Sequence, residues 1–293
     1  MRQIFLSTTF HGTEPTKVDE VLRLLKGLDI DGVELGSTHS WQPDLVGVLQ
    51  RCWHGAVYTH NFFPPARDRN LVINLASKDE VVLERSLEHA ERCIDFAAEI
   101  GAELYTVHPG FLADAEPGSR REKGRCYDFA FSPERTAHDE AFSRMVDSLK
   151  LLLDKATKRG CNLAVETGGS LTRQGVLLLE QPEEYEQFFR EIPDGVMLNF
   201  NLAHTVFATK VHDFSVSEFV QRFGERFAAV ELSHNDGVLD QHLPLIADSY
   251  VFDYMDALPN VPLILEFRDV SLDEVRESIR LVREHFRERR GAC

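Results

Sequence analysis

Between residues 230 and 245 the chain reads VELSHNDGVLDQHLPL, which crowds Glu231, His234, Asp236, Asp240 and His242 into one segment. Each of these side chains can ligate a metal or move a proton. Similar groups recur at the ends of short apolar runs. His60 closes AVYTH, His108 closes ELYTVH, Glu166 closes NLAVE and Glu266 closes PLILE. Asn201 closes VMLNFN, with His204 three residues further on, and Glu34 sits near the end of GVEL. A carboxylate at the end of a buried strand is costly unless something compensates it. A single case is readily a structural ion pair; six or seven at equivalent ends are not. Imidazoles beside carboxylates suit a divalent cation, since zinc, manganese, iron and cobalt all accept mixed nitrogen and oxygen ligands. A serine–histidine–acid triad is disfavoured, because no G-x-S-x-G elbow is present.

The elements that must position these groups are eight strand candidates: 4–8, 32–35, 56–60, 103–108, 162–166, 196–201, 228–232 and 262–266. Most are almost continuously apolar, as suits parallel strands covered on both faces. Helical spacing lies between them at 18–28, 78–100, 138–159, 182–191, 214–225 and 271–289, with less clear helices at about 43–51 and after the seventh strand. Gly101 reads as a helix cap. Eight strands alternating with helices fit one (β/α)₈ barrel, a single domain over residues 1–293 with a long loop after strand 4 at 110–137. A doubly wound sheet is the rival, but TTFHGTEP after the first strand is not its Gly-rich phosphate turn. In a barrel the strand ends named above converge on one mouth.

Composition narrows the partners. A net charge of −16 disfavours a nucleic-acid phosphate surface. No run of eighteen apolar residues spans a membrane, and the N-terminal apolar run is too short for a signal peptide. The five cysteines are odd in number and show no C-x-x-C pair, so a reduced, cytoplasmic protein is expected. His89, His138 and His212 read as solvated, Asp236 as a turn residue, and Phe62 and Phe63 as aromatic core. The basic run Arg120, Arg121, Lys123 and Arg125 reads as a solvated charge run, with a phosphate clamp as the alternative.

In order and spacing, YTHNFFPP with NLAS, TVHPGF, AVETGGS, NLAHT, DQHLPL and LILEF resemble the xylose isomerase-like barrel superfamily, which includes endonuclease IV. The resemblance spans roughly the second to the eighth strand. It implies a divalent metal ion (Zn, Mn, Fe or Co), one to three per chain. Carried over residue by residue, it assigns His60, His108 and Glu166 to a first metal and His204, Asp240 and His242 to a third. A central metal would take Glu166, a carboxylate from the sixth strand, a histidine from the seventh, and Glu266. Here the chain departs twice, offering Asn201 for the carboxylate and Glu231 for the histidine. One negative group is lost and one gained, so a retuned central metal, a reduced metal set and a shifted register using His234 all stay open. Asn201 is either a weak oxygen ligand or a buried hydrogen-bonding amide. Glu231 is either a ligand or a neighbouring base. Glu34, His234 and Arg268 are candidates for substrate contact.

The function expected from strand-end chemistry and resemblance is a metal-dependent isomerase or epimerase of a sugar or sugar phosphate. Glu166 and Glu266 would carry protons, and His204 would position a hydroxyl. A multi-metal hydrolase of phosphodiesters or phosphomonoesters is the alternative, with a metal-bearing oxidase as a variant. The third reading is a non-catalytic ligand-binding barrel. Self-association is left open.

Overall fold

Short β-branched and aromatic runs, most of them followed by a helix, can bury both faces of their strands by closing into a barrel with the helices outside. That is the arrangement in the computed structural model, which describes residues 2–12, 15–67, 71–115, 121–123, 126–170 and 175–290. The barrel strands are β1 (Ile4–Ser7), β2 (Gly32–Leu35), β3 (Ala56–His60), β4 (Leu104–Val107), β5 (Asn162–Glu166), β6 (Val196–Asn201), β7 (Phe227–Leu232) and β8 (Leu263–Leu265). They pair in parallel and in sequence order, and β8 closes on β1 through Ile4–Leu263 and Phe5–Ile264. The ladder between β6 and β7 shifts register between Leu198 and Asn199.

Period-two alternation explains the site directly. Phe5, Tyr58, Leu104, Ala164, Ala229 and Ile264 form a buried apolar layer inside the barrel. Two residues further along the chain from each stand Ser7, His60, Thr106, Glu166, Glu231 and Glu266. The polar ring is therefore the next layer on the same inward face. The Phe5 ring stacks on Tyr58 at 4.4 Å between centroids, across the space where a side chain on Gly32 would lie. The apolar layer closes the floor beneath the ring, so that the polar groups open only toward the C-terminal mouth.

The covering helices are α1 (Val18–Leu24), α2 (Leu45–Cys52), α3 (Glu80–Ile100), α4 (His138–Arg159), α5 (Pro182–Glu191), α6 (Leu202–Val211), α7 (Val216–Phe223), α8 (Val251–Tyr254) and α9 (Leu272–Arg290). Asp79 caps α3 at its start, and Gly101, at φ +72°, ends it. The short α8 is the indistinct helix expected after β7. One helix departs from the sequence reading. Helix α6, at 202–211, was not expected; its hydrophobic residues show almost no one-sided pattern because several faces of it pack inward. Within the long loop, a two-stranded antiparallel hairpin joins Arg121–Lys123 to Cys126–Asp128. Of the basic run, Arg120 and Arg125 lie outside the described residues, and Arg121 and Lys123 are described in backbone only. Among the described residues no helix is long and apolar enough to cross a membrane.

Two expectations about histidines are corrected. His89 is buried in α3, where its Nδ1 pairs with Arg92 at 2.6 Å. His138 is held by Glu184 at 2.5 Å rather than by solvent alone. Asp236 is a turn residue: its Oδ1 accepts the N–H groups of Val238 and Leu239.

Candidate active site

Two flanks and a centre make up the polar ring. The first flank is built on strand ends. His60 ends β3, Glu166 ends β5, and His108 follows β4. His60 Nε2 and His108 Nε2 lie 2.8 and 3.3 Å from the same oxygen, Glu166 Oε2. His60 Nε2 and Glu166 Oε2 are buried and close, yet neither makes a hydrogen bond. Two imidazole nitrogens and a carboxylate oxygen that converge outside hydrogen-bond geometry are a donor set that a divalent cation would take. Glu34, fully buried on β2, stands 3.7 Å behind His60 Nδ1.

The second flank is built on a helix start and a loop. His204 lies in the first turn of α6, and Asp240 and His242 lie in the loop after β7. Asp240 Oδ2 is 3.2 Å from His204 Nε2 and 3.0 Å from His242 Nε2. His242 Nδ1 is 3.1 Å from Glu266 Oε2. His242 has φ +49°, a left-handed conformation that non-glycine residues seldom adopt. Its backbone carbonyl accepts the Arg268 N–H at 3.0 Å, which ties the loop to the end of β8. His204 Nδ1 reaches back to Glu166 Oε1 at 3.1 Å, so Glu166 faces both flanks. Gly169 makes this approach feasible, because any Cβ there would run into the His204 carbonyl.

At the centre, Asn201 presents its amide nitrogen to three carboxylates: Glu231 Oε2 at 2.9 Å, Glu166 Oε1 at 3.1 Å and Glu266 Oε2 at 3.4 Å. Its Oδ1 accepts the His204 N–H at 3.1 Å and caps α6. Asn199, one pleat below, donates to Glu231 Oε1 at 2.5 Å.

The electrostatics follow from burial and proximity. Burial lowers the His60 imidazole, but the Glu34 and Glu166 carboxylates outweigh it and push it up to about 9. His242 reaches about 9 in the same way, against burial, through Asp240 and Glu266. Burial raises Glu166, yet His108, His204 and His60 hold it well below the usual carboxylate range. Glu231 faces mainly other carboxylates and two neutral amides. Burial, then the charges of Glu166, Glu266 and Glu34, push it well above that range. Burial is also the main cause that takes Glu34 up to about 7.

The ligand atoms of His60, His108 and Glu166 lie within 4.8 Å of one another, as do those of His204, Asp240 and His242. Both flanks fit a divalent ion by donor type and spacing. Glu231 with Glu166 and Glu266, and Glu34 with His60 and Glu231, form two further groups within the same limit. His234 stands aside: its Nδ1 pairs with Ser249 Oγ at 3.0 Å, and its backbone bridges Leu243. Arg268 is buried beside the β8 end, and its charge works against the rise of its neighbour His242.

Two residues of the site escaped the sequence reading. Asn199 is fully buried, and the N-x-N spacing that sets it on the same face as Asn201 was the available signal. Thr167 accepts the Asn201 N–H at 2.9 Å and fixes the end of β6; a threonine after a strand carries no comparable signal.

Comparison with solved structures places the whole chain on one fold. A D-tagatose 3-epimerase-like protein matches with TM-score 0.71 at 18% identity, covering 98% of this chain and 97% of the other. D-psicose 3-epimerase from Clostridium cellulolyticum, solved with D-tagatose, gives 0.68 at 11% identity, covering 98% and 99%. A Thermus thermophilus protein soaked with zinc chloride gives 0.63 at 19% identity, covering 96% and 98%. At such identities these likenesses establish the barrel alone. No curated protein matches the sequence. The family described as the xylose isomerase-like TIM barrel matches residues 17–285, and the chain belongs to that family.

Proposed function

We propose that the protein is a divalent-metal-dependent isomerase or epimerase of a sugar or sugar phosphate. One observation carries this reading. Two buried carboxylates, Glu166 on β5 and Glu266 just past β8, come from non-adjacent strands and bring oxygens within 4.8 Å of each other. That arrangement suits a proton removed on one side of a carbon and returned on another. The likeness to solved D-tagatose 3-epimerase-like and D-psicose 3-epimerase structures supports the same class.

Both carboxyls are held below their usual range, so each is an ionised base in the free protein. Glu166 takes the proton next to the carbonyl; Glu266, having picked up a proton from water at the open mouth, delivers it to the opposite face while Glu166 releases its own, or Glu166 itself returns its proton to the adjacent carbon. His204, between Glu166 and Asp240, is placed to orient a hydroxyl. The floor of Phe5, Tyr58 and Ile264 keeps bulk water from entering beneath the ring. A divalent ion held by His60, His108 and Glu166, or by His204, Asp240 and His242, would supply Lewis-acid polarisation of the substrate oxygens.

The test is hydrogen exchange in deuterated water, with Mn²⁺- and Co²⁺-supplied protein and a panel of ketoses and ketose phosphates. Deuterium incorporation at the carbon next to the carbonyl, lost in both Glu166→Gln and Glu266→Gln, is expected. A panel in which no substrate hydrogen exchanges counts against the reading. The presence of two flanking ligand sets also favours a second reading, metal-assisted phosphoester hydrolysis. Release of phosphate from the same phosphorylated panel, without exchange, would select it.

A further inference from the structure

We propose that the Asn201 amide stands where a cation would stand at the centre of the mouth, so that this chain takes divalent ions in its two flanks and none between them. The orientation of the amide is fixed by chemistry. The His204 backbone N–H can only donate, so the Asn201 atom it meets at 3.1 Å is the oxygen. The atom left to face Glu166, Glu231 and Glu266 is the NH₂ group, with donor hydrogens and no lone pair for a metal. Rotating the amide to offer its oxygen would set NH₂ against the His204 N–H and uncap α6.

Glu231 is built into the same hub. Its Oε1 accepts from Asn199 and its Oε2 from Asn201, so amide hydrogens meet both oxygens. Asn199, Asn201 and Glu231 thus act as one unit, in which two neutral amides satisfy both oxygens of one carboxyl group. Within the hub only the Asn199 oxygen is buried without a hydrogen bond, whereas the flanks hold several such atoms. There, His60 Nε2, Glu166 Oε2, His242 Nδ1 and Asp240 Oδ1 are buried without a hydrogen bond. Glu166 divides between the two regions, with Oε1 on the Asn201 amide and Oε2 between His60 and His108. The charge sum of the sequence admits a central ion, but the hydrogens of the amide occupy its place.

This inference does not rest on the epimerase reading, because its readout is the position of an ion rather than a rate. Crystals of the full chain soaked in zinc chloride are examined by anomalous scattering at the zinc edge, and the dialysed protein is analysed for zinc content. Two zinc ions per chain, one in each flank with the centre clear, is the expected result. His108→Ala removes the first peak only, and Asp240→Asn weakens or removes the second only. Asn201→Asp, which replaces the donor hydrogens with a carboxylate oxygen, raises the count from two to three. A zinc peak among Glu166, Glu231 and Glu266 in the wild-type crystal overturns the proposal, as does a flank left empty at saturating zinc. A folded Asn201→Asp protein with an unchanged count overturns the role given to the amide. The wild-type map decides the placement even where a variant fails to fold.

Discussion

The two flanks reach the same chemistry by different structural routes. In the first, strand register does the placing: His60 and Glu166 are the last residues of β3 and β5, one pleat above an apolar floor. In the second, local backbone does it: His204 enters on a helix start, and His242 is turned inward by a left-handed φ of +49°. Strand ends in a closed barrel are over-determined by pairing on both sides, whereas a loop conformation depends on a few bonds such as Arg268 N–H to the His242 carbonyl. The first flank is expected to be rigid before any ligand arrives, and the second to hold its shape with less reserve.

Glu166 gives the sharpest way to break this division, because it touches both flanks and the central amide. Glu166→Gln is expected to lower the rate of substrate hydrogen exchange by about 10²–10⁴-fold. Asp240→Asn, confined to the second flank, should leave a larger residual rate. Exchange rates of the two variants on one substrate check the order; equal losses would mean that the flanks do not act separately.

The next largest effect separates the centre from both flanks. Asn199→Leu removes the amide beneath Glu231 and leaves a buried carboxyl oxygen without its donor. The expected loss is about 1–3 kcal/mol of folding stability. His108→Ala, at a position about a third exposed, should change stability by no more than about 0.5 kcal/mol. Urea denaturation of the metal-free proteins measures both, and a large cost at His108 would place structural weight on the flank rather than on the hub.

The same division governs what could be read from the sequence. The strands, their order and the first flank were legible because period-two burial and a polar residue at each strand end leave a direct trace in the chain. Helix α6 was not, since its residues are apolar on several sides and the periodicity that marks a surface helix is absent. The choice between Asn201 as ligand and Asn201 as amide was also beyond the sequence. It turns on which atom meets the His204 N–H, a fact of three-dimensional capping. His89 escaped for a related reason: charged neighbours in sequence suggested solvent, while the helix face it occupies is covered by Phe62.

Backbone origin predicts opposite signs at two histidines. At His242, glycine fits the positive φ and alanine does not. His242→Gly is therefore expected to be about 1 kcal/mol more stable than His242→Ala. At His60, in the extended backbone of β3, the order reverses: His60→Ala should exceed His60→Gly by about 0.5–1 kcal/mol. Both variants of each pair lose the imidazole, so the difference isolates the backbone. Chemical denaturation of the four proteins checks it, and the same sign at both positions would erase the distinction between strand-placed and loop-placed histidines.

The smallest effect contrasts the mouth with an imidazole–carboxylate pair that serves only the scaffold. His138, at the start of α4, holds Glu184, whose Oε2 also accepts the N–H groups of Glu180 and Gln181 at the start of α5. Glu184 raises the His138 imidazole above 6.5, against partial burial and with help from Asp139. Burial raises Glu184, but His138 and those N–H groups bring it below 4.5. The raised group contributes fully below 6.5 and loses its contribution as pH rises through its folded value. The lowered group contributes fully above 4.5 and loses its contribution as pH falls through its folded value. The pair is therefore at full strength between 4.5 and 6.5 and weakens on either side. Because the His138 side chain is 41% exposed, solvent screening limits the effect to less than about 1 kcal/mol. Thermal melts of His138→Gln across pH should show a shallower decline above 6.5 than the wild type. An unchanged alkaline decline would assign that slope to the histidines of the mouth instead, where the raised His60 and His242 lose their protons in the same direction.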